Sequence, residues 1–271
     1  MAGMADARDF DLEAGTTALY KDPTYYDYEY KDRVADVRWY AERYVEAEGP
    51  VLELGVGTGR IALRAVREGA TVTGVDLSAT MLKQAEARRQ SLPKTKRDRL
   101  ELLQGDMRAV ELGRKFALVS CPFNAFMHMY TREDAERCLA VVRGHLEPGG
   151  VFALDVLMPD LEYLNRPAFK TFPGVRFKHP TFGCHFIYAE QTAYDAVTQL
   201  NQMRLVYERA DPDEEGPPSY VVELSHRYFF PRELEALLHA NGFRVLVTYG
   251  DFELGALHAT SESQVLLCGL R

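Results

Sequence analysis

Residues Val51 to Arg60 read VLELGVGTGR, a short apolar run that ends in an acid and passes into glycines at alternate positions. Gly55, Gly57 and Gly59 can take backbone angles closed to residues with a Cβ and let a ligand approach the main chain. Dinucleotide folds space the last glycine one residue later, as G-x-G-x-x-G, and here Arg60 holds that place. Glu53, at the mouth of the loop, would repel a pyrophosphate and attract a cationic amine. A nucleoside with an amino-acid tail therefore fits this loop better than a dinucleotide. Arg60 either meets the carboxylate of such a tail or is an exposed first-turn helix residue.

Two further acids follow at comparable places. Asp76, in TVTGVDLSATML, ends a β-rich run before a helix whose expected N-cap is Ser78, and its carboxylate can accept from two ribose hydroxyls. Asp106, in LLQGDMRAV, ends the next run and can accept from an adenine amino group. Glu53, Asp76 and Asp106 thus end successive predicted strands on one rim, where open α/β sheets bind ligands. Each also has an ordinary reading: a tight turn for the glycines, helix capping or turn formation for Asp76 and Asp106, core packing for Met81.

The elements that must hold these groups are legible as alternation. VLELG, TVTGVD, LELLQ, FALVSC and VFALDVL alternate with helical patterns, as parallel sheets with crossover helices do. Gly69 and Gly242 stand where helix C-cap glycines are expected, and Pro231 where a first-turn proline is tolerated. Two regions fall outside the alternation. The N-terminal segment crowds Tyr20, Tyr25, Tyr26, Tyr28 and Tyr30 among charges, which predicts a folded cap, with Tyr20 and Trp39 read as structural. From about Pro159 to Arg227, the runs HFIYAEQTAY, QLNQMRLVYE and SYVVELSHRYFF predict an inserted antiparallel sheet with DPDEEGPP as an exposed turn. The expected division is a cap over 1–48, a cofactor core over 49–158, an inserted acceptor lid over 159–227, and completion of the core sheet over 228–271.

Composition narrows the function classes. A net charge of -8 argues against broad affinity for nucleic-acid phosphates. The start MAGMADARDFDLEAG has no apolar signal core, and no apolar run is long enough to span a bilayer, so a cytoplasmic protein without membrane partners is expected. Cys121, Cys138, Cys184 and Cys268 lack metal-site spacing and read as reduced structural thiols, with no metal expected.

The ordered set ELGVGTG, Asp76 and Asp106 resembles the class I methyltransferases that use S-adenosylmethionine, over most of residues 50 to 157 and the terminal helix and strands. The resemblance implies a Rossmann-like seven-stranded sheet with one antiparallel strand near its end, here with an inserted antiparallel β lid and an N-terminal cap. It places the glycine loop under the methionine moiety, the ribose on Asp76, the adenine at Gly105, Asp106 and Met107, and an apolar wall at Leu77 and Met81. S-adenosylhomocysteine would be the product.

The segment SCPFNAFMHMYTRED lies where that family sets groups beside the reactive methyl. It puts Pro122 and Phe123 next to the cofactor, and Asn124 and His128 next to an acceptor. His128 with Tyr26 and Asp27 resembles bacterial small-molecule N-methyltransferases of amino sugars, where a tyrosine and a histidine flank the acceptor nitrogen; Tyr26 either bonds the cofactor or acceptor or packs within its tyrosine cluster. LDVLMPD lacks the tryptophan-rich run of those enzymes. His128 is the natural base if one is needed, because an unperturbed imidazole titrates near neutrality; a packed or surface histidine is the alternative. Asp155 either binds a cationic acceptor or caps a turn, Arg227 either pairs with an acceptor carboxylate or is solvated, and Phe182, Phe186 and Tyr188 either line a pocket or pack on neighbours. The expected function is methyl transfer to a small-molecule acceptor, nitrogen over oxygen. An O-methyltransferase, a non-catalytic S-adenosylmethionine binder and a nicotinamide oxidoreductase are the rivals, and a homodimer is one expected assembly.

Overall fold

A computed structural model describes residues 12–271. The N-terminal part of the expected cap, residues 1–11, lies outside the described residues. In chain order the elements begin with α1 (Leu12–Thr17), α2 (Pro23–Glu29), α3 (Ala35–Glu46), β1 (Val51–Leu54), α4 (Arg60–Glu68), β2 (Val72–Asp76), α5 (Ala79–Gln90) and α6 (Lys94–Arg97). There follow β3 (Leu100–Gln104), β4 (Phe116–Cys121), α7 (Arg132–His145), β5 (Leu146–Leu157), α8 (Leu161–Leu164), β6 (Phe172–Lys178), β7 (His185–Asp195) and β8 (Leu200–Arg209). The chain closes with β9 (Tyr220–Arg227), α9 (Pro231–Ala240), β10 (Phe243–Tyr249) and β11 (Ser263–Leu270).

These elements form two compact units, residues 12–30 with 160–227, and residues 31–159 with 228–271. The larger unit holds a seven-stranded sheet in the order β10-β11-β5-β4-β1-β2-β3. The β1, β2, β3, β4 and β5 pairings are parallel, whereas β11 runs antiparallel to both β5 and β10. The strand order reverses at β1, which pairs with β2 on one side and β4 on the other, so the crevice at its carboxyl end is the natural ligand position. Helix α4 follows β1 directly, and Gly69 ends it in the left-handed conformation at φ 119°. Ser78 caps α5 by accepting from the Met81 amide at 3.3 Å, as its position predicts. Helix α3 packs with this unit: Trp39, Tyr40, Ala41 and Tyr44 are buried, and Trp39 and Tyr44 join Val51, Ile61, Val66 and Leu118 in one core cluster.

The smaller unit is a four-stranded antiparallel sheet in the order β6-β7-β8-β9, with helices from the N-terminal segment. Its core gathers Leu19, Tyr25, Phe186, Met203, Leu205, Tyr207 and Leu224. Tyr25 stacks on His179 at 4.7 Å and meets the Tyr207 ring edge-on at 5.5 Å, so this part of the tyrosine-rich segment is core. The sequence alternation marks β7, β8 and β9 but not β6, whose Pro173 and Gly174 and register shift break the period-two pattern. The β8–β9 connection is a largely exposed turn, tied down where Glu214 accepts from the His185 amide at 2.6 Å.

Among the described residues, no helix is long and apolar enough to cross a membrane. The four cysteines are free and buried.

Candidate active site

The loop after β1 is shaped by backbone that only glycine adopts readily. Gly55, Gly57 and Gly59 have φ of 79°, 56° and 78°. The space beside them is also filled: a Cβ on Gly55 would sit 3.0 Å from the Ala125 Cβ and 3.7 Å from the Met107 Cε, and one on Gly57 would sit 3.5 Å from the Met81 Cε. The fold therefore brings Met81, Met107 and the turn after β4 to one glycine loop. Met81 is buried and Leu77 half exposed, at 1% and 50%. Sequence reasoning missed Gly74, where a Cβ would lie 2.6 Å from the Val56 Cγ2. That glycine lets the loop's Val56 lie flat on β2.

Asp76 organises this loop through its own carboxylate. One oxygen accepts from the Gly57 amide at 2.7 Å and the other from the Ser78 amide at 2.8 Å. Burial raises its pKa, while these two amides pull it down. Each oxygen keeps a second lone pair for a hydroxyl. Gly105 donates its amide to the Asp76 carbonyl at 3.0 Å, which ties the turn after β3 to the end of β2.

Glu53 is 1% exposed, and its Oε2 has no hydrogen-bond partner. Burial pushes its carboxyl up to about 8, opposed by a hydrogen bond from Tyr44. The Tyr44 hydroxyl also shares a short hydrogen bond with Ser120. A buried unpaired carboxylate oxygen is costly, by about 1–3 kcal/mol or more, unless a donor arrives. An ammonium group is the donor that would also restore the charge.

Three of the expected site residues have partners within the chain. Arg60 Nη2 donates to the Arg33 carbonyl at 2.7 Å and to Asp36 Oδ2 at 3.3 Å, and its guanidinium lies 4.7 Å from the Phe123 ring centre. Asp155 is 2% exposed and meets three donors of the chain. Its Oδ1 accepts from the Tyr40 hydroxyl and the Phe123 amide, both at 2.7 Å, and its Oδ2 from the Asn124 amide at 3.1 Å. Burial raises it to about 6 against these bonds. Asp106 spends its carboxylate on Arg108, through the Arg108 amide at 2.8 Å and the guanidinium Nη2 at 2.7 Å, and Arg108 holds it below the usual carboxylate range. Any adenine contact must use a remaining lone pair.

The turn Pro122–Asn124 follows β4, with Phe123 and Asn124 both at positive φ, 54° and 61°. Such conformations cost about 1–3 kcal/mol each and persist where the surroundings enforce them, here through Asp155. Pro122 is buried, and Asn124 Oδ1 is buried without a partner. His128 ends the short 3-10 helix Ala125–His128 that starts from this turn, and its Nδ1 lies 3.2 Å from the Tyr130 hydroxyl. Desolvation lowers its imidazole to about 4, so it is neutral at physiological pH and a weak base.

Tyr26 and Arg227 belong to the smaller unit. Tyr26 is 8% exposed, with its ring 4.9 Å from that of Tyr30, and Arg227 Nη2 donates to Gln199 Oε1 at 3.3 Å. Phe186 is core, whereas Phe182 is 41% exposed. Sequence reasoning missed Asp36, Tyr40 and Tyr44. The tyrosines stand four residues apart beside Trp39, a spacing that sets both hydroxyls on one helix face.

Residues 51–150 match the family model described as a methyltransferase domain. The chain is 35% identical over 105 residues to a dTDP-3-amino-3,4,6-trideoxy-alpha-D-glucopyranose N,N-dimethyltransferase of Streptomyces venezuelae, covering 39% of this chain and 41% of that protein. It is 28% identical over 209 residues to a glycine/sarcosine N-methyltransferase of Aphanothece halophytica, covering 75% of this chain and 69% of that protein. The CcbJ methyltransferase structure from Streptomyces caelestis superposes with a TM-score of 0.73 at 25% identity, covering 88% of this chain and 96% of that one. Structures of the same fold hold S-adenosylmethionine or S-adenosylhomocysteine. Residues 51–150 are therefore a methyltransferase domain, carried on the class I fold whose members use S-adenosylmethionine.

Proposed function

We propose that this protein transfers a methyl group from S-adenosylmethionine to a nitrogen of a small-molecule acceptor. The observation that carries the reading is the buried, unpartnered Oε2 of Glu53 beside the glycine loop. It asks for a cationic donor, and the amino-acid tail of S-adenosylmethionine has one. When bound, this cofactor supplies an electrophilic methyl on sulfonium.

The chain's residues then have separable tasks. Glu53 holds the tail amine, the Gly55–Gly59 backbone admits the tail, and Asp76 takes the ribose hydroxyls. Gly105, Asp106 and Met107 would flank the base, with Leu77, Met81, Pro122 and Phe123 as apolar walls. Arg60 and Asp155 shape the site from behind, Arg60 through Asp36 and Phe123, Asp155 through the turn at Phe123 and Asn124. Asn124 Oδ1 offers an unpaired acceptor to an amine N–H. In-line positioning of such groups can lower a barrier by about 7–11 kcal/mol.

Nitrogen is favoured for two reasons. A neutral amine needs no base during attack, whereas a hydroxyl benefits from one, and His128 lowered to about 4 is poorly suited to that task. The curated relatives reported above are both N-methyltransferases, one of an amino sugar and one of glycine and sarcosine.

The test is S-adenosylhomocysteine formation from S-adenosylmethionine with a panel of amines and matched alcohols, alongside Asp76→Ala. Turnover with amines, lost in the variant, is expected. Turnover confined to the alcohols would replace the nitrogen reading, and no cofactor binding would remove the methyltransferase reading.

A further inference from the structure

Helix α7 and the connection between β3 and β4, both within the larger unit, line a cavity of about 580 Å3. None of the residues assigned above to the cofactor or the acceptor borders it. On the helix side the wall is the row Arg137, Ala140, Val141 and Gly144, spaced three and four residues apart and so on one helix face. Ala140 and Gly144 are exposed and carry little or no side chain, which leaves a hollow there rather than a packed seam. The facing wall, from Arg108 to Lys115, is fastened to α7 by His145. The His145 Nε2 accepts the Leu112 amide at 3.0 Å, and its Nδ1 donates to the Val141 carbonyl at 2.7 Å. Both nitrogens of this buried ring are thereby used, and protein contacts alone fix one wall against the other.

Four cations line the cavity, Arg108, Arg114, Lys115 and Arg137, against one acid, Glu111, in a chain whose net charge is -8. Two of them are spent on acids of the chain: Arg108 on Asp106 and Asp134, and Arg114 on Glu101. The other two have no acidic partner. Lys115 gives one N–H to the Gly144 carbonyl at 2.6 Å and keeps two. Arg137 makes no hydrogen bond or ion pair among the described residues and acts on Asp106 only through space. Between the charges lie Ala109, Val110, Ala140 and Val141, an apolar floor. Exposed cations alone would be a solvated face; fixed walls and an apolar floor between them make a place for a molecule.

The chemistry of that molecule follows from the lining. A phosphoryl group carries a charge near -2 and three acceptor oxygens, enough to satisfy both free cations at once. The volume falls in the range of about 300–1,000 Å3 usual for small-molecule pockets, and a bare phosphate would fill only a small part of it. The remainder, over the apolar floor, suits an apolar body.

We propose that this cavity binds an organic phosphate, whose phosphoryl group pairs with Lys115 and Arg137 while its apolar body lies on Ala140 and Val141. The site is separate from methyl transfer and stands whether or not the acceptor is an amine.

The test uses naphthyl phosphate, with inorganic phosphate and naphthol as its separate halves, titrated by calorimetry into the full chain with and without saturating S-adenosylhomocysteine. Arg137→Glu reverses one free cation, and Ala140→Leu fills the floor with a good helix former. Arg132→Glu makes the same charge change on an exposed side chain of the same helix that does not line the cavity. Naphthyl phosphate is expected to bind more tightly than either half, equally with and without S-adenosylhomocysteine. Its affinity should fall about tenfold in Arg137→Glu and in Ala140→Leu and hold in Arg132→Glu, with Tm read for each variant as the folding check. Should either variant lose Tm, the other decides. No binding up to about 10 mM would overturn the proposal. So would equal weakening in Arg132→Glu, which would mean diffuse surface charge, or binding abolished by S-adenosylhomocysteine, which would put the probe in the cofactor site. Inorganic phosphate or naphthol binding as tightly as the whole probe would overturn the organic-phosphate assignment.

Discussion

Tyr40 and Asp155, 115 residues apart in sequence, are joined by a 2.7 Å hydrogen bond from the phenol to Oδ1. The same carboxylate accepts the amides of Phe123 and Asn124, so one buried acid links α3, the end of β5 and the left-handed turn after β4. Tyr40→Phe removes one of three donors and should cost about 1 kcal/mol. Asp155→Asn turns one acceptor into a donor facing a donor, and should cost about 1–3 kcal/mol more while also lowering turnover by loosening the turn. Urea denaturation of the two variants checks the order; an Asn variant as stable as the Phe variant would contradict it.

Cofactor affinity should depend on pH through Glu53. Its carboxyl, pushed up to about 8 by burial, is largely protonated at neutral pH, and a bound ammonium favours the ionised form. Affinity for S-adenosylmethionine should therefore rise from about pH 6 to about pH 8 and fall above it, once the ligand's α-amino group, near pKa 8, loses its proton. Calorimetry near neutrality in buffers of different ionisation enthalpy should show proton release. Glu53→Gln should bind more weakly, with neither the pH slope nor the release.

The same raised acids set a sign for stability. Glu53 at about 8 and Asp155 at about 6 both titrate above their unfolded values, so the folded state holds more protons than the unfolded chain between those limits. Stability without ligand should fall as pH rises from about 6.5 towards 8, where Glu53 still titrates and His128, held at about 4, no longer opposes it, the reverse of a salt-bridged carboxylate. Saturating S-adenosylmethionine should reduce that fall. Thermal melts across this range read both effects, and a Tm that climbs steadily to pH 8 without ligand would rule out the assignment.

Gly74 and Val56 should behave as a coupled pair. A methyl at residue 74 would stand 2.6 Å from the Val56 Cγ2, so Gly74→Ala should cost about 1–3 kcal/mol through overpacking and weaken cofactor binding by displacing the glycine loop. Val56→Gly in the same chain, which also removes the Val56 Cβ that would lie 2.8 Å away, should recover part of the loss, giving an interaction energy of about 1 kcal/mol in a double-mutant cycle. Additive costs would show that the clash is absorbed elsewhere.

His128 should not govern the pH–rate profile above pH 5, because desolvation holds its imidazole at about 4. With an amine acceptor the acid limb should follow the acceptor's own deprotonation and keep its position in His128→Ala, whatever the change in rate. A limb near pH 6.5, the unperturbed imidazole value, that vanishes in the variant would instead make His128 a titrating base.

The glycine loop, the strand-end acids and the alternation of strand and helix were legible in the sequence because they rest on local rules: glycine for positive φ, period-two apolar runs, caps such as Ser78. The parallel α/β core and the antiparallel sheet inserted into the chain followed from those patterns, whereas the count of seven strands came from the resemblance to class I methyltransferases. Partners distant in sequence did not. Arg60, exposed by its place in a first helical turn, is taken by Asp36 and the Arg33 carbonyl because α3 packs beside α4. Asp155, a strand-end acid like Glu53 and Asp76, meets three donors, from α3 and from the turn after β4. Glu53, with a similar place in its strand, keeps one oxygen unpaired. A strand-end position tells which rim a carboxylate reaches; only tertiary packing decides whether protein donors use its lone pairs or leave them for a ligand.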